Sequence, residues 1–188
     1  MFKSYLQLGF DHILDFNGYD HILFVLTLCA VYLLKDWKKV LILVTAFTIG
    51  HSITLALSAL DILVIPDTII EVLIPITIIL TALYNIFSKQ DHAKVSPMLY
   101  MLPLIFGLIH GMGFSYFFKA LLSKDESILT PLLPFNLGVE FGQIVVVLVG
   151  MILSYLVVNV LKIRHRYWNY FISFSAIIIT TYLLLERI

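Results

Sequence analysis

Charge is what this 188-residue sequence has least of. Only 13% of its residues are Asp, Glu, Lys or Arg, while 61% are hydrophobic. Soluble domains carry about 25% charged residues, so half the usual complement is missing and a water-soluble domain is excluded in favour of a polytopic membrane protein. Net charge is also absent: twelve basic residues balance twelve acidic ones. Without a basic tract, nothing argues for a nucleic-acid partner. Cysteine is nearly lacking. Cys29 stands alone in an apolar run, so no disulfide framework or thiolate metal site can be built, and it reads as a packing residue. Residues 1–16 hold Asp11 and Asp15 and no continuous apolar core, so a signal peptide is not expected there.

What is present is a succession of long apolar runs. Six are read as transmembrane helices, over residues 19–34, 40–60, 66–87, 98–122, 132–161 and 169–185. The first is short for a hydrocarbon core of about 30 Å. Ahead of it, Leu6, Phe10, Ile13 and Leu14 recur on one face of 3–16 and predict a short interfacial helix, with a turn at Asn17-Gly18. The expected fold is therefore all-α: a polytopic membrane helical bundle forming a single transmembrane domain over 1–188, with the lipid bilayer as its partner. The oligomeric state stays open.

Basic residues set the expected orientation. Lys35, Lys38, Lys39, Lys89, Lys94, Lys162, Arg164 and Arg166 fall in alternate connectors, and the other side holds only Lys3, Lys119, Lys124 and Arg187. Positive charge favours the cytoplasm, which places both termini outside, in the cytoplasmic membrane of a bacterium. His92 and His165 sit among these connector charges and read as solvated surface. Trp37, Tyr167 and Trp168 at span ends read as interfacial anchors.

Polar groups inside the spans are few, and each needs a reason. The fifth run contains Pro134-Phe135-Asn136-Leu137-Gly138-Val139-Glu140-Phe141-Gly142-Gln143. On a helix, Asn136, Glu140 and Gln143 share one face, and Gly138 and Gly142 permit close packing by a neighbour. An ionised carboxylate there costs at least about 2.5–3.5 kcal/mol unless it is paired. His51 and His110 lie at similar depths, about eleven and about twelve residues in from the same side, roughly 16–18 Å at 1.5 Å per residue. Asp20 and His21 enter near the outer surface. Glu71 adds an oxygen, because Pro75 cannot donate to its carbonyl. Gly107 and Gly111 flank His110, so spans four and five are expected to pack closely with His110 and Glu140 near the contact. Histidine and carboxylate ligands suit zinc or nickel. A helix–helix hydrogen-bonding seam is the plainer reading of the same residues.

At GFDHIL and GYDHILFVL near the start, FTIGHSITL at 47–55, FGLIHGMGF at 106–114 and FNLGVEFGQ at 135–143, the chain resembles the HupE/UreJ family. The likeness is to the broad branch without an assigned pathway. It implies a multi-span membrane protein that carries nickel or a related divalent cation. Its polar motif residues map onto His12, Asp20, His21, His51, His110 and Glu140.

Three functions follow. One is a divalent-cation permease binding a transition metal, nickel or zinc, through Asp20, His21, His51, His110 and Glu140, supported by His12, Glu71, Asn136 and Gln143. Another is an intramembrane metal-dependent hydrolase with Glu140 or Asp20 as general base. The third is an accessory subunit whose polar seam only joins helices.

Overall fold

A computed structural model describes residues 1–16, 18–87, 97–121 and 128–187. Asn17 of the expected turn, the connector 88–96 with His92, and residues 122–127 with Lys124 lie outside the described residues. Among the described residues the regular structure is helical throughout: α1 (Phe2–Leu14), α2 (Asp20–Cys29), α3 (Trp37–Ala59), α4 (Asp67–Phe87), α5 (Pro97–Gly113), α6 (Ser115–Leu121), α7 (Leu129–Tyr155) and α8 (His165–Arg187). A short 3-10 turn, Leu34–Asp36, leads into α3, and a π-turn, Leu156–Val160, extends α7.

Four of these helices are long and apolar enough to cross a membrane: α3 with its preceding turn, α4, α7 with its π-turn, and α8. The bent pair α5–α6 makes five if counted as one crossing. Six uninterrupted spans are not what forms. The first expected span is helical only over the ten residues of α2, and the fourth breaks after Gly113, with a 52° bend between its halves. Ten residues rise only about 15 Å, half of a hydrocarbon core.

Helix α1 uses its apolar face against protein. Gly138 of α7 sits against Leu6 and Phe10, and Gly142 against Phe10 and Ile13. The two sequences rise together, so α1 runs alongside α7 in the same direction. Gly9 and Gly138 carry the closest approach: a Cβ on Gly9 would collide with the Phe135 carbonyl, and one on Gly138 with the Leu6 carbonyl. Further along α7, Gly150 meets Leu26 and Cys29 of α2. Helices α1 and α2 thus follow one another down α7, the first ending at Leu14 and the second starting at Asp20.

The remaining helices pack as pairs. Gly107 and Gly111 of α5 lie on the backbone of α3 at Phe47 and His51. Both small-residue motifs are therefore used, but with different partners from those expected. Gly138 and Gly142 receive α1, and Gly107 and Gly111 receive α3, so α5 and α7 are not the close pair. The reason is that neither glycine pair faces the other, and each admits a backbone that a Cβ would exclude. Helices α4 and α8 run antiparallel, fastened at one end by Asn169 Nδ2 donating to the Asn85 carbonyl (2.8 Å) and at the other by Arg187 donating to the Glu71 carbonyl (3.1 Å). The carbonyl that Pro75 leaves without a helical donor is thus capped by arginine. The hydrophobic core fills between these pairs, with Phe24, Phe47, Phe118 and Phe135 all fully enclosed.

Candidate metal centre

Four histidines from four different helices meet where α1 ends and α2 begins. His12 comes from the last turn of α1, His21 from the first turn of α2, His51 from the middle of α3 and His110 from α5, one turn before its break. The ring centroids of His12 and His21 are 4.6 Å apart, those of His12 and His51 5.8 Å, and those of His21 and His51 6.1 Å. His110 is 5.2 Å from His21. Ligand nitrogens of His12, His21 and His51 all lie within 4.8 Å of one another, close enough to share one ion.

The nitrogens are arranged for lone-pair donation. Asp20 Oδ1 lies 3.0 Å from His21 Nδ1 and also accepts the His21 backbone N–H at 2.8 Å. A carboxylate there fixes the proton on Nδ1 and leaves Nε2 as the free lone pair, the second-layer device common to metal-bound imidazoles. His110 repeats the logic with a neutral partner: its Nδ1 donates to the Phe106 carbonyl at 2.8 Å. The Nε2 atoms of His12, His21 and His110 are buried without a hydrogen-bond partner, as are both ring nitrogens of His51. Leaving a buried polar atom unpaired costs about 1–3 kcal/mol. Five such atoms gathered in one cluster call for an explanation, and a bound ion supplies one.

An open cavity of about 920 Å³ reaches this cluster from one end of the bundle. Its walls include His12, His21 and His110, together with Asp11, Asp15, Asp20, Asp67 and Glu71, and among the described residues Arg187 is the one Lys or Arg on them. The result is an acidic vestibule with imidazoles at its foot. Such a field concentrates cations and disfavours anions.

The chain belongs to the HupE/UreJ family. The model of that family, described as HupE / UreJ protein, matches residues 1–187, essentially the whole length. Comparisons with curated proteins and with solved structures find no match. Within this family member the residues singled out by sequence separate into two groups. His21, His51 and His110 converge, with Asp20 behind His21. His12, assigned only a supporting part from sequence, belongs to the central three. Its signal was legible: Asp11-His12-Ile13-Leu14 is repeated as Asp20-His21-Ile22-Leu23, nine residues later.

The carboxylate and amides of α7 do not join them. Thr45 Oγ1 donates to Glu140 Oε1 at 2.6 Å, and Thr48 Oγ1 to Gln143 Oε1 at 2.8 Å. Asn136 turns back onto its own helix, donating to the Leu132 carbonyl at 2.9 Å. Glu140 and Gln143 do share a face, and that face meets α3. Thr45 lies six residues before His51, about 9 Å along the helix. Glu71 lines the vestibule rather than the cluster, and its carbonyl is taken by Arg187.

Proposed function

We propose that this protein is a divalent-cation permease whose outward vestibule delivers a transition metal, nickel or zinc, to a site formed by His12, His21 and His51. His110 and Asp20 complete it, His110 as a further nitrogen and Asp20 through His21. The observation that carries the reading is the cluster of buried imidazole nitrogens without partners at the foot of an acidic cavity. Imidazole suits nickel and zinc, and the HupE/UreJ family is associated with nickel and cobalt transport.

The breaks in the chain support transport. Helix α1 ends at Leu14 and α2 begins at Asp20, the α5–α6 bend follows His110, and the histidines sit between these two interruptions. Discontinuous helices around a central site are how many transporters line a cavity with irregular backbone. Helices α1 and α2 together rise about 35 Å, so the pair supplies a crossing in two halves. With the basic connectors in the cytoplasm, the vestibule and both chain ends face outward.

The hydrolase reading needs a carboxylate free to accept a proton beside the ion. Of the two bases expected from sequence, Asp20 is paired with His21 and Glu140 accepts from Thr45, which favours the permease reading. The test is calorimetric titration of the purified, metal-stripped protein with Ni²⁺ and Zn²⁺, followed by uptake into proteoliposomes. Saturable binding near one ion per chain and uptake above protein-free vesicles are expected. Absence of binding would overturn the assignment.

A further inference from the structure

The vestibule stops at the histidines, and a second cavity begins directly behind them. It measures about 270 Å³ and lies among α2, α4 and α5, with walls that include Phe24, Leu28, Tyr32, Thr81 and Phe106. One layer of side chains separates the two spaces. His110 faces the vestibule, whereas Phe24 and Phe106 face the second cavity. Phe24 is fully buried, with its ring centroid 5.5 Å from that of His110 and 6.0 Å from that of Phe106. Phe106 is tied to the same histidine by its carbonyl, which accepts from His110 Nδ1. Phe47 closes the layer from α3, 4.9 Å from Phe24.

We propose that Phe24 and Phe106 form an inner gate between the histidine site and this second cavity, which is the cation's route toward the cytoplasm. The proposal rests on the permease reading above. An apolar constriction stops ions by excluding their hydration water, so two phenylalanine rings suffice to hold the site open to one side only. Register couples the gate to the site. His21 and Phe24 are three residues apart on α2, and Phe106 and His110 four apart on α5, so each gate ring shares a helix face with a histidine. A shift of either imidazole on taking up or releasing an ion moves the helix that carries the ring. Pro103, also on the wall of the second cavity, gives α5 a place to bend, because it cannot donate to the carbonyl four residues before it.

The gate is tested with the full chain in proteoliposomes of defined lipid, with Ni²⁺ as the probe. Phe24→Ala and Phe106→Ala should each raise downhill Ni²⁺ flux at least about tenfold, because a dewetted constriction becomes a wet one, and should leave binding stoichiometry at wild type. A second readout needs no metal. In a Cys29→Ser background, Thr81→Cys places a thiol on the second cavity. An impermeant maleimide added from the vestibule side should miss it in the wild-type gate and label it once Phe24 is alanine. If Phe24→Ala does not fold, Phe24→Leu should still raise labelling. Ni²⁺ binding with unchanged flux and labelling in the folded variants would overturn the gate and leave the metal site standing, making the second cavity a slot for lipid tails. No Ni²⁺ binding by wild type would fell the permease reading, and unchanged labelling would then fell the barrier separately.

Discussion

Among the described residues, two clusters of buried polar side chains are built in opposite ways. In the Asn85–Asn169 cluster each side-chain amide has found a partner. Asn85 donates to the Thr27 carbonyl at 2.7 Å, Asn169 to the Asn85 carbonyl at 2.8 Å, and Ser173 to Asn169 Oδ1 at 3.1 Å. It joins α2, α4 and α8 and leaves nothing over for a ligand. In the histidine cluster the groups that do have partners, Asp20 with His21 and His110 with Phe106, use them to aim a second atom that has none. The difference teaches how to tell glue from a site inside a membrane: a polar seam closes on itself, and a binding site gathers several ligand atoms without partners in one place.

That contrast is broken most sharply by substituting leucine in each cluster. His51 is wholly buried, with both nitrogens unpaired, so His51→Leu keeps an apolar volume and removes two unsatisfied atoms. Ni²⁺ affinity should fall by about 100-fold or more, exceeding what loss of an outer-layer partner costs. Metal-free thermal stability should rise, since each unpaired buried group costs about 1–3 kcal/mol. Calorimetry and thermal unfolding in detergent read the two effects. Lost affinity with lowered stability would show that His51 is held by the fold rather than reserved for an ion.

Asp20→Asn comes next in size. The amide keeps the shape but no longer holds the proton on His21 Nδ1 as a carboxylate does. An affinity loss of about 10–100-fold is expected, with stoichiometry unchanged. Full affinity in this variant would detach Asp20 from the site.

Asn169→Leu acts on the closed cluster and should move the other observable. It leaves Ser173 without its acceptor and removes the tie to Asn85. Transmembrane hydrogen bonds of this kind contribute about 0.6 kcal/mol on average and up to about 1.7. Unfolding should therefore occur at lower temperature, with Ni²⁺ affinity at wild type. A drop in affinity would couple the two clusters and weaken the distinction between them.

Much of this was legible in the sequence, for reasons that differ by residue. Composition alone reads out a helical membrane bundle, because a chain this poor in charge has few other ways to satisfy its backbone. His51 and His110 stand out as isolated polar groups in apolar helices. The two glycine pairs are visible as close-packing motifs, but a glycine pair announces only that some backbone comes near. Which one is a tertiary fact: α1 takes Gly138 and Gly142, and α3 takes Gly107 and Gly111. The breaks after Leu14 and after Gly113 were hidden because hydrophobicity is continuous across Phe114, and because Asp11, His12 and Asp15 look like surface residues when their helix is taken to lie on the membrane. Docked against α7, the same helix turns His12 into the cluster.

The smallest expected effect belongs to Glu140, which stood out most in the sequence. Its Oε1 accepts from Thr45, on the outer flank of α3 and α7, where Ile42, Ile49, Leu137 and Phe141 are all exposed to the surroundings of the bundle. Glu140→Gln preserves that acceptor and removes a carboxyl group from an apolar span. If the partner arithmetic above is right, the variant should bind Ni²⁺ with wild-type affinity and stoichiometry, and it should unfold at the same temperature or slightly higher. A first-layer ligand behaves otherwise, since its loss strips the metal. A carboxylate that relays the ion between the histidines and the cytoplasm gives a third pattern, with binding intact and Ni²⁺ flux reduced. Titration and flux on one preparation separate the three. Loss of bound metal would bring Glu140 into the site and show that counting unpaired atoms overlooks a ligand already resting on a threonine.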